Sequence, residues 1–172
     1  MPFVYYNVAA GEKIARVSAN MAMAADMEVR ASSTATTGAY SSACQRGLPA
    51  ILMERGGGGR FTDSEVQAYK RDVKNIMIRM GLLSGEEVHT VQQKNVTRAE
   101  YLEAETDGLW YPVFSAGDTF AGGAVLGTVR DIWGNLLREY RADYPGIVLY
   151  QTVGLGVKAG DPLIAYGEYV DR

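Results

Sequence analysis

The stretch Gln45-Arg-Gly-Leu-Pro-Ala-Ile-Leu-Met-Glu54-Arg-Gly-Gly-Gly-Gly59 contains a helix end, a strand and a loop in immediate succession. Gly47 stands where helices commonly stop, because a residue without Cβ takes the left-handed conformation at little cost. Leu48 to Glu54 is short and almost continuously apolar, the pattern of a strand buried on both faces. Gly56 to Gly59 then breaks any helical or strand period. Upstream, Thr37 to Arg46 reads as a short helix opened by Thr37. Before it, Glu12 to Met27 sets Ile14, Val17, Met21 and Ala24 at spacings of three and four, which makes an amphipathic helix. Downstream, Thr62-Asp-Ser-Glu65 is a capping box, and the helix it opens carries Val66, Tyr69, Val73, Ile76, Met77 and Met80 on one apolar face before stopping at Gly81. Strand alternating with helix implies a layered α/β domain.

From about Thr90 the pattern changes. Short β-rich pieces are punctuated by Asp107-Gly108, Gly117-Asp118, Gly122-Gly123, Trp133-Gly134-Asn135, Pro145-Gly146 and Gly160-Asp161. One segment echoes another: Ser115-Ala-Gly-Asp-Thr-Phe recurs as Lys158-Ala-Gly-Asp-Pro-Leu. Two similar turn units suggest a small pseudo-symmetric β-barrel or sandwich. The expected fold class is therefore α/β. A partial layered sheet domain spans 1–85 and a small all-β domain spans 86–172, with the boundary near Leu83 to Val91.

Composition narrows the function. A chain of 172 residues with 47% hydrophobic content can bury a core, and its net charge of −3 with no basic stripe argues against a nucleic-acid partner. No apolar run is long enough to cross a membrane, and no signal peptide opens the chain. The lone cysteine, Cys44, forms no internal disulfide and fits a reducing cytoplasm; inside a helix, it reads as a buried structural thiol. The one histidine, His89, lies in the polar connector Gly85-Glu-Glu-Val-His-Thr and reads as a solvated linker residue. Catalytic zinc takes three protein ligands, and this sequence offers no such spacing.

Glu54 is the position that looks chemical. It ends a strand and faces a glycine-rich loop, and open α/β sheets bind ligands outside the carboxyl ends of their strands. A carboxylate there can serve as general base on a water and return the proton to a leaving amine. The competing reading pairs Glu54 with Arg55, Arg60 or Arg46 in a strand-end salt bridge. A phosphate-cradling role for Gly56 to Gly59 is weaker, since no Gly-Lys-Ser/Thr follows and Asp63 would repel the anion.

Gln45 to Gly59 resembles the GIPA(I)xxExGG signature of the succinylglutamate desuccinylase/aspartoacylase family, within the zinc carboxypeptidase superfamily. Val73-Lys-Asn-Ile-Met, Asp107-Gly-Leu-Trp-Tyr-Pro-Val, Leu126-Gly-Thr-Val-Arg-Asp-Ile-Trp-Gly134 and Arg141-Ala-Asp-Tyr-Pro-Gly146 are similar to later family segments, in the same order. The resemblance implies that Glu54 is the general base of an amide hydrolysis on a small N-acyl amino acid. It implies that zinc is held by two histidines and a glutamate whose motifs are expected upstream of Met1. It implies that the terminal domain is a barrel-sandwich hybrid. Arg46 is the nearest match to an arginine that grips the substrate carboxylate, and Tyr169, or else Tyr166, matches a substrate-contacting tyrosine. Zinc is thus expected in the full-length family but not on this chain alone, which should then be inactive. The alternative is a non-catalytic binding or scaffold protein that self-associates. In either case an open sheet makes a homo-oligomer the expected state.

Overall fold

The computed structural model describes residues 1–170, and two compact units divide them, built mainly from 2–97 and 98–169. The first unit runs β1 (Phe3–Asn7), α1 (Glu12–Ala24), β2 (Val29–Ser33), α2 (Ala39–Gln45), β3 (Ile51–Glu54) and α3 (Asp63–Arg79), then enters β4 (Lys94–Glu103). Its strand order is β3-β1-β2-β4. β1 is parallel to β2, and β2 to β4, while β3 runs antiparallel to β1 with Phe3 opposite Glu54 and Tyr6 opposite Ile51. Val4, Ala22, Ala25 and Met27 form the buried core on one face, with Ile51, Met53 and Tyr69 packed against it.

Three expectations from the sequence are corrected here. The apolar run at 48–54 is not a strand buried on both faces: β3 ends the sheet, Ile51 and Met53 are half-buried, and Leu52 and Glu54 are exposed. The alternation was hidden because the outward position 52 also carries an apolar side chain. Helix α1 stops at Ala24 rather than Met27, because Ala25 turns extended and Asp26 is drawn into a polar network. Helix α2 begins at Ala39 after Gly38, with no side-chain cap, so Thr37 does not open it. At its other end Gly47 has φ 84°, and Gly47 and Leu48 donate their N–H groups to Cys44 and Ala43, a Schellman close. The capping box of α3 forms as read: Thr62 N–H donates to Glu65 at 2.7 Å and Glu65 N–H to the Thr62 hydroxyl at 3.3 Å.

The buried face of α3 is polar. Asp72 and Asn75 are its buried residues, whereas Val73, Met77 and Met80 are more than a third exposed. Asp72 accepts Arg55 Nε at 2.9 Å and the Asp26 N–H at 2.8 Å. Arg55 also donates to the Asp26 carbonyl at 2.8 Å. The Asp26 carboxylate accepts Arg71 at 2.9 Å, the Thr90 N–H and hydroxyl at 2.7 Å each, and the Val91 N–H at 3.2 Å. Burial alone would raise the Asp26 pKa, but the bonds from Thr90 and Val91 and the Arg71 charge outweigh it and hold the group below the usual carboxylate range. Asn75 pairs through its amide with both the N–H and the carbonyl of Val88, at 3.0 and 2.8 Å. The 83–91 connector is thereby bonded back onto the first unit, and the two units divide between 97 and 98, within β4.

In the second unit, residues 98–103 of β4 and the strands β11 (Pro162–Val170), β9 (Gly146–Gln151) and β6 (Thr119–Phe120) form one sheet. The other has the order β10 (Gly156–Val157), β5 (Gly108–Pro112), β7 (Val125–Arg130), β8 (Leu136–Arg141). The echoed segments adopt one turn. Asp118 N–H donates to the Ser115 carbonyl while the Asp118 carboxylate accepts the Ser115 N–H at 2.8 Å. Asp161 and Lys158 repeat the same pair of bonds, also at 2.8 Å for the carboxylate. Gly117 and Gly160 supply positive φ, 98° and 88°, at the position a type II turn requires. Gly127 lies under the buried Trp110, whose ring would stand 2.2 Å from an added Cβ.

The depressed Asp26 pKa fixes a sign. A carboxylate that titrates lower in the folded than in the unfolded state stabilises the fold above its unfolded value of about 3.9, and that contribution is lost as pH falls through the folded value. Asp26→Asn should therefore cost about 3 kcal/mol at pH 7, and urea titrations should show the gap to the parent protein closing below about pH 4.

Candidate functional site

Glu54 emerges at the carboxyl end of β3, and among the described residues its carboxylate makes no hydrogen bond or ion pair. The strand-end salt bridge does not form. Arg55, adjacent in sequence, turns the other way and is held by Asp72 at 2.7 Å with only 7% of its side chain exposed. Its guanidinium also stands 5.8 Å from the centre of the Tyr69 ring. Tyr69 lies beneath the strand end, donating its hydroxyl to the Met53 carbonyl at 3.2 Å. Burial first, and then the charges of Glu54 and Asp72, push its phenol above the usual range. From periodicity Tyr69 reads only as a packing residue on the apolar face of α3. Its place four residues after the capping-box Glu65, hence on the same helix face, was the available signal.

The four glycines close into a tight turn. Arg60 N–H donates to the Gly57 carbonyl at 3.1 Å, and Gly58 and Gly59 have φ of 59° and 70°. Positive φ at both central positions is the type I′ geometry that side chains resist. Gly56 is also confined, since an added Cβ would stand 3.0 Å from the Arg60 carbonyl oxygen. The turn thus delivers the chain from Glu54 directly to the capping box of α3.

The other expected site residues are dispersed. Arg46 caps the carboxyl end of α2, exposed, with no hydrogen bond or ion pair to Glu54. Tyr169 is half-buried on β11, in the second unit. Tyr166 is fully buried there, accepting the Asp143 N–H at 3.1 Å and packing on Phe120 and Tyr144, so it is a core residue. Cys44 is buried, with Sγ 3.6 Å from the Ser18 hydroxyl and donating to the Ala50 carbonyl at 3.5 Å, which ties α2 to α1 and to the entry of β3. His89 is not simply solvated: its Nε2 lies 2.9 Å from Glu87, whose carboxylate accepts from Nε and one terminal nitrogen of Arg79. Those bonds to Arg79, ahead of the His89 bond, keep Glu87 ionised below the usual range.

Among the described residues no group of three or more His, Cys, Asp and Glu side chains is placed to hold a metal ion. The sole histidine is committed to a glutamate already neutralised by Arg79. These residues do not fit a zinc centre.

No sequence-family model matches the chain. Its fold superimposes on the product-bound ectoine utilization protein EutE (DoeB) from Ruegeria pomeroyi with a TM-score of 0.85 and 23% identity, covering 97% of this chain and 53% of that one. A succinylglutamate desuccinylase/aspartoacylase from Rhodobacter sphaeroides gives a TM-score of 0.81 at 21% identity, covering 99% of this chain and 54% of that one. The chain has the fold of the succinylglutamate desuccinylase/aspartoacylase proteins. In sequence it is 28% identical over 127 residues to the N-alpha-acetyl-L-2,4-diaminobutyric acid deacetylase of Halomonas elongata, a match that covers 70% of this chain and 37% of that protein. The chain spans about half the length of these solved relatives. No helix among the described residues is long and apolar enough to cross a membrane.

An exposed, unpaired carboxylate and a buried, paired one should respond differently to removal. Glu54→Gln should shift stability by no more than about 0.5 kcal/mol, while Asp72→Ala, which strands the Arg55 charge, should cost about 3–5 kcal/mol. Thermal melts of the two variants beside the parent protein measure both.

Proposed function

We propose that this chain is part of a deacylase that hydrolyses the amide bond of small N-acyl amino acids, with Glu54 as general base. The observation that supports this most is the Glu54 carboxylate, which among the described residues has no partner at its strand end although an arginine follows it. A base must be unencumbered to take a proton from the attacking water and pass it to the departing amine nitrogen. The relatives, a deacetylase of an acylated diamino acid and a succinylglutamate desuccinylase/aspartoacylase, fit that substrate class. Arg46 is read as the cation that meets a substrate carboxylate, which a guanidinium binds in a bidentate fork. Tyr169 is read as a further substrate contact. The zinc that the family resemblance implies would have to be held by residues other than those described, and the chain by itself is read as inactive.

The test compares this chain with a version extended by a zinc-binding segment, assayed on N-acetyl-diaminobutyrate, N-acetylaspartate and N-succinylglutamate. The chain alone should bind no zinc and release no amine. The extended protein should bind about one zinc and turn over at least one substrate. Glu54→Gln should then lower kcat by about 10²-fold or more while zinc content stays constant. Undiminished turnover in the Glu54→Gln protein would remove the proposed role.

A further inference from the structure

A general base meets two demands that pull apart. Its carboxylate must be free to take a proton, yet it must stand at a fixed place beside the attacking water. Glu54 makes no hydrogen bond or ion pair among the described residues, so no side-chain partner places it. We propose that Tyr69 is the positioning residue of Glu54, its hydroxyl tying the main chain on both sides of that residue to α3. This role rests on the reading of Glu54 as base.

The hydroxyl reaches both flanking peptide units. It donates to the Met53 carbonyl at 3.2 Å, which belongs to the peptide that leads into Glu54. Burial raises the phenol pKa, and a main-chain bond from the Arg55 N–H to the same oxygen works against that rise. The Arg55 N–H belongs to the peptide that leaves Glu54, so one oxygen atom spans the residue between. Tyr69 is helped by its neighbours on the helix. Glu65, Tyr69 and Asp72 follow one another at spacings of four and three, which puts them on one face of α3. Asp72 holds the Arg55 guanidinium at 2.7 Å. Glu65 borders Gly56, where an added Cβ would stand 3.4 Å from its Oε1. Residues 53, 55 and 56 therefore each meet this face, and Glu54 inside the run keeps its carboxylate unbonded.

Packing alone would need only the ring. Tyr69 lies against the core cluster of Val4, Ala22, Ala25 and Met27, and a phenylalanine would fill the same space. The hydroxyl is the part that reaches the main chain of β3. The pairing of β3 with β1 ends at Glu54, opposite Phe3, so the sheet gives no further support beyond that point. There the Tyr69 hydroxyl takes over. A carboxylate carried on a loose strand end would wander about the water, and a misplacement of about 1 Å can cost about 10²-fold in rate.

Tyr69→Phe keeps the ring and removes the hydroxyl. In this chain the Arg55 amide should exchange with solvent about ten-fold faster or more in that variant, while the amides of α1 exchange as in the parent protein. In Glu54→Gln the Tyr69 phenol, followed by NMR, should titrate lower than in the parent, since the Glu54 charge is among the causes that raise it. In the protein extended by a zinc-binding segment, Tyr69→Phe should lower kcat by about ten-fold or more, with KM and zinc content unchanged. Unaltered Arg55 exchange, or a Tyr69 titration indifferent to Glu54→Gln, would overturn the proposal. So would an unchanged kcat in Tyr69→Phe beside an inactive Glu54→Gln, a result that leaves the base itself standing. Undiminished turnover in Glu54→Gln would instead remove the base, and the positioning role with it.

Discussion

The ion-paired network around Asp72 and Asp26 is the constraint on which the first unit depends. It joins Arg55 after β3, Asp26 after α1, Asp72 and Arg71 on α3, and Thr90 in the connector. Buried charges are costly unless every lone pair and proton finds a partner. Here the two carboxylates between them accept from two guanidiniums, three backbone N–H groups and a hydroxyl. Because the network is satisfied internally, it fixes the exit of β3 from behind. Arg55, the residue after Glu54, is thereby committed to Asp72.

The same network explains why α3 looks inverted. A helix normally turns its apolar stripe to the core. In α3 the core-facing positions are spent on Asp72 and Asn75, which bond Arg55 and the connector, and the apolar stripe is rotated toward the sheet edge. The polar face answers demands within the unit. Among the described residues β3 is the edge strand of the sheet, with β1 its one partner.

Much of this was legible in the residues. The capping box fixed the start of α3, Gly47 and Gly81 fixed two helix ends, and the echoed Ala-Gly-Asp segments folded into the same turn. The α/β-then-β order was readable because its signals are local, and the family resemblance agrees with the observed fold. What escaped was set by partners distant in sequence. Nothing local shows that Leu48 to Glu54 lies at an edge, since edge status depends on which strands are present beside it. Strands β1 and β2 carried no periodic signal distinct enough to be singled out. The partners of Arg55 and Asp26 lie 17 and 64 residues away, so the sequence offered Arg55 to Glu54 and His89 to solvent, whereas the fold gives them to Asp72 and Glu87.

Arg55 serves Asp72 and not Glu54, and a pair of double-mutant cycles measures that choice. Stability is determined for Arg55→Ala, Asp72→Ala and Glu54→Gln singly, then for the two doubles that contain Arg55→Ala. The structure predicts a coupling of about 2 kcal/mol or more between Arg55 and Asp72, and additivity within about 0.5 kcal/mol between Arg55 and Glu54. A strong coupling to Glu54, with additivity toward Asp72, would mean that Glu54 is a salt-bridge residue and would contradict its reading as a free base.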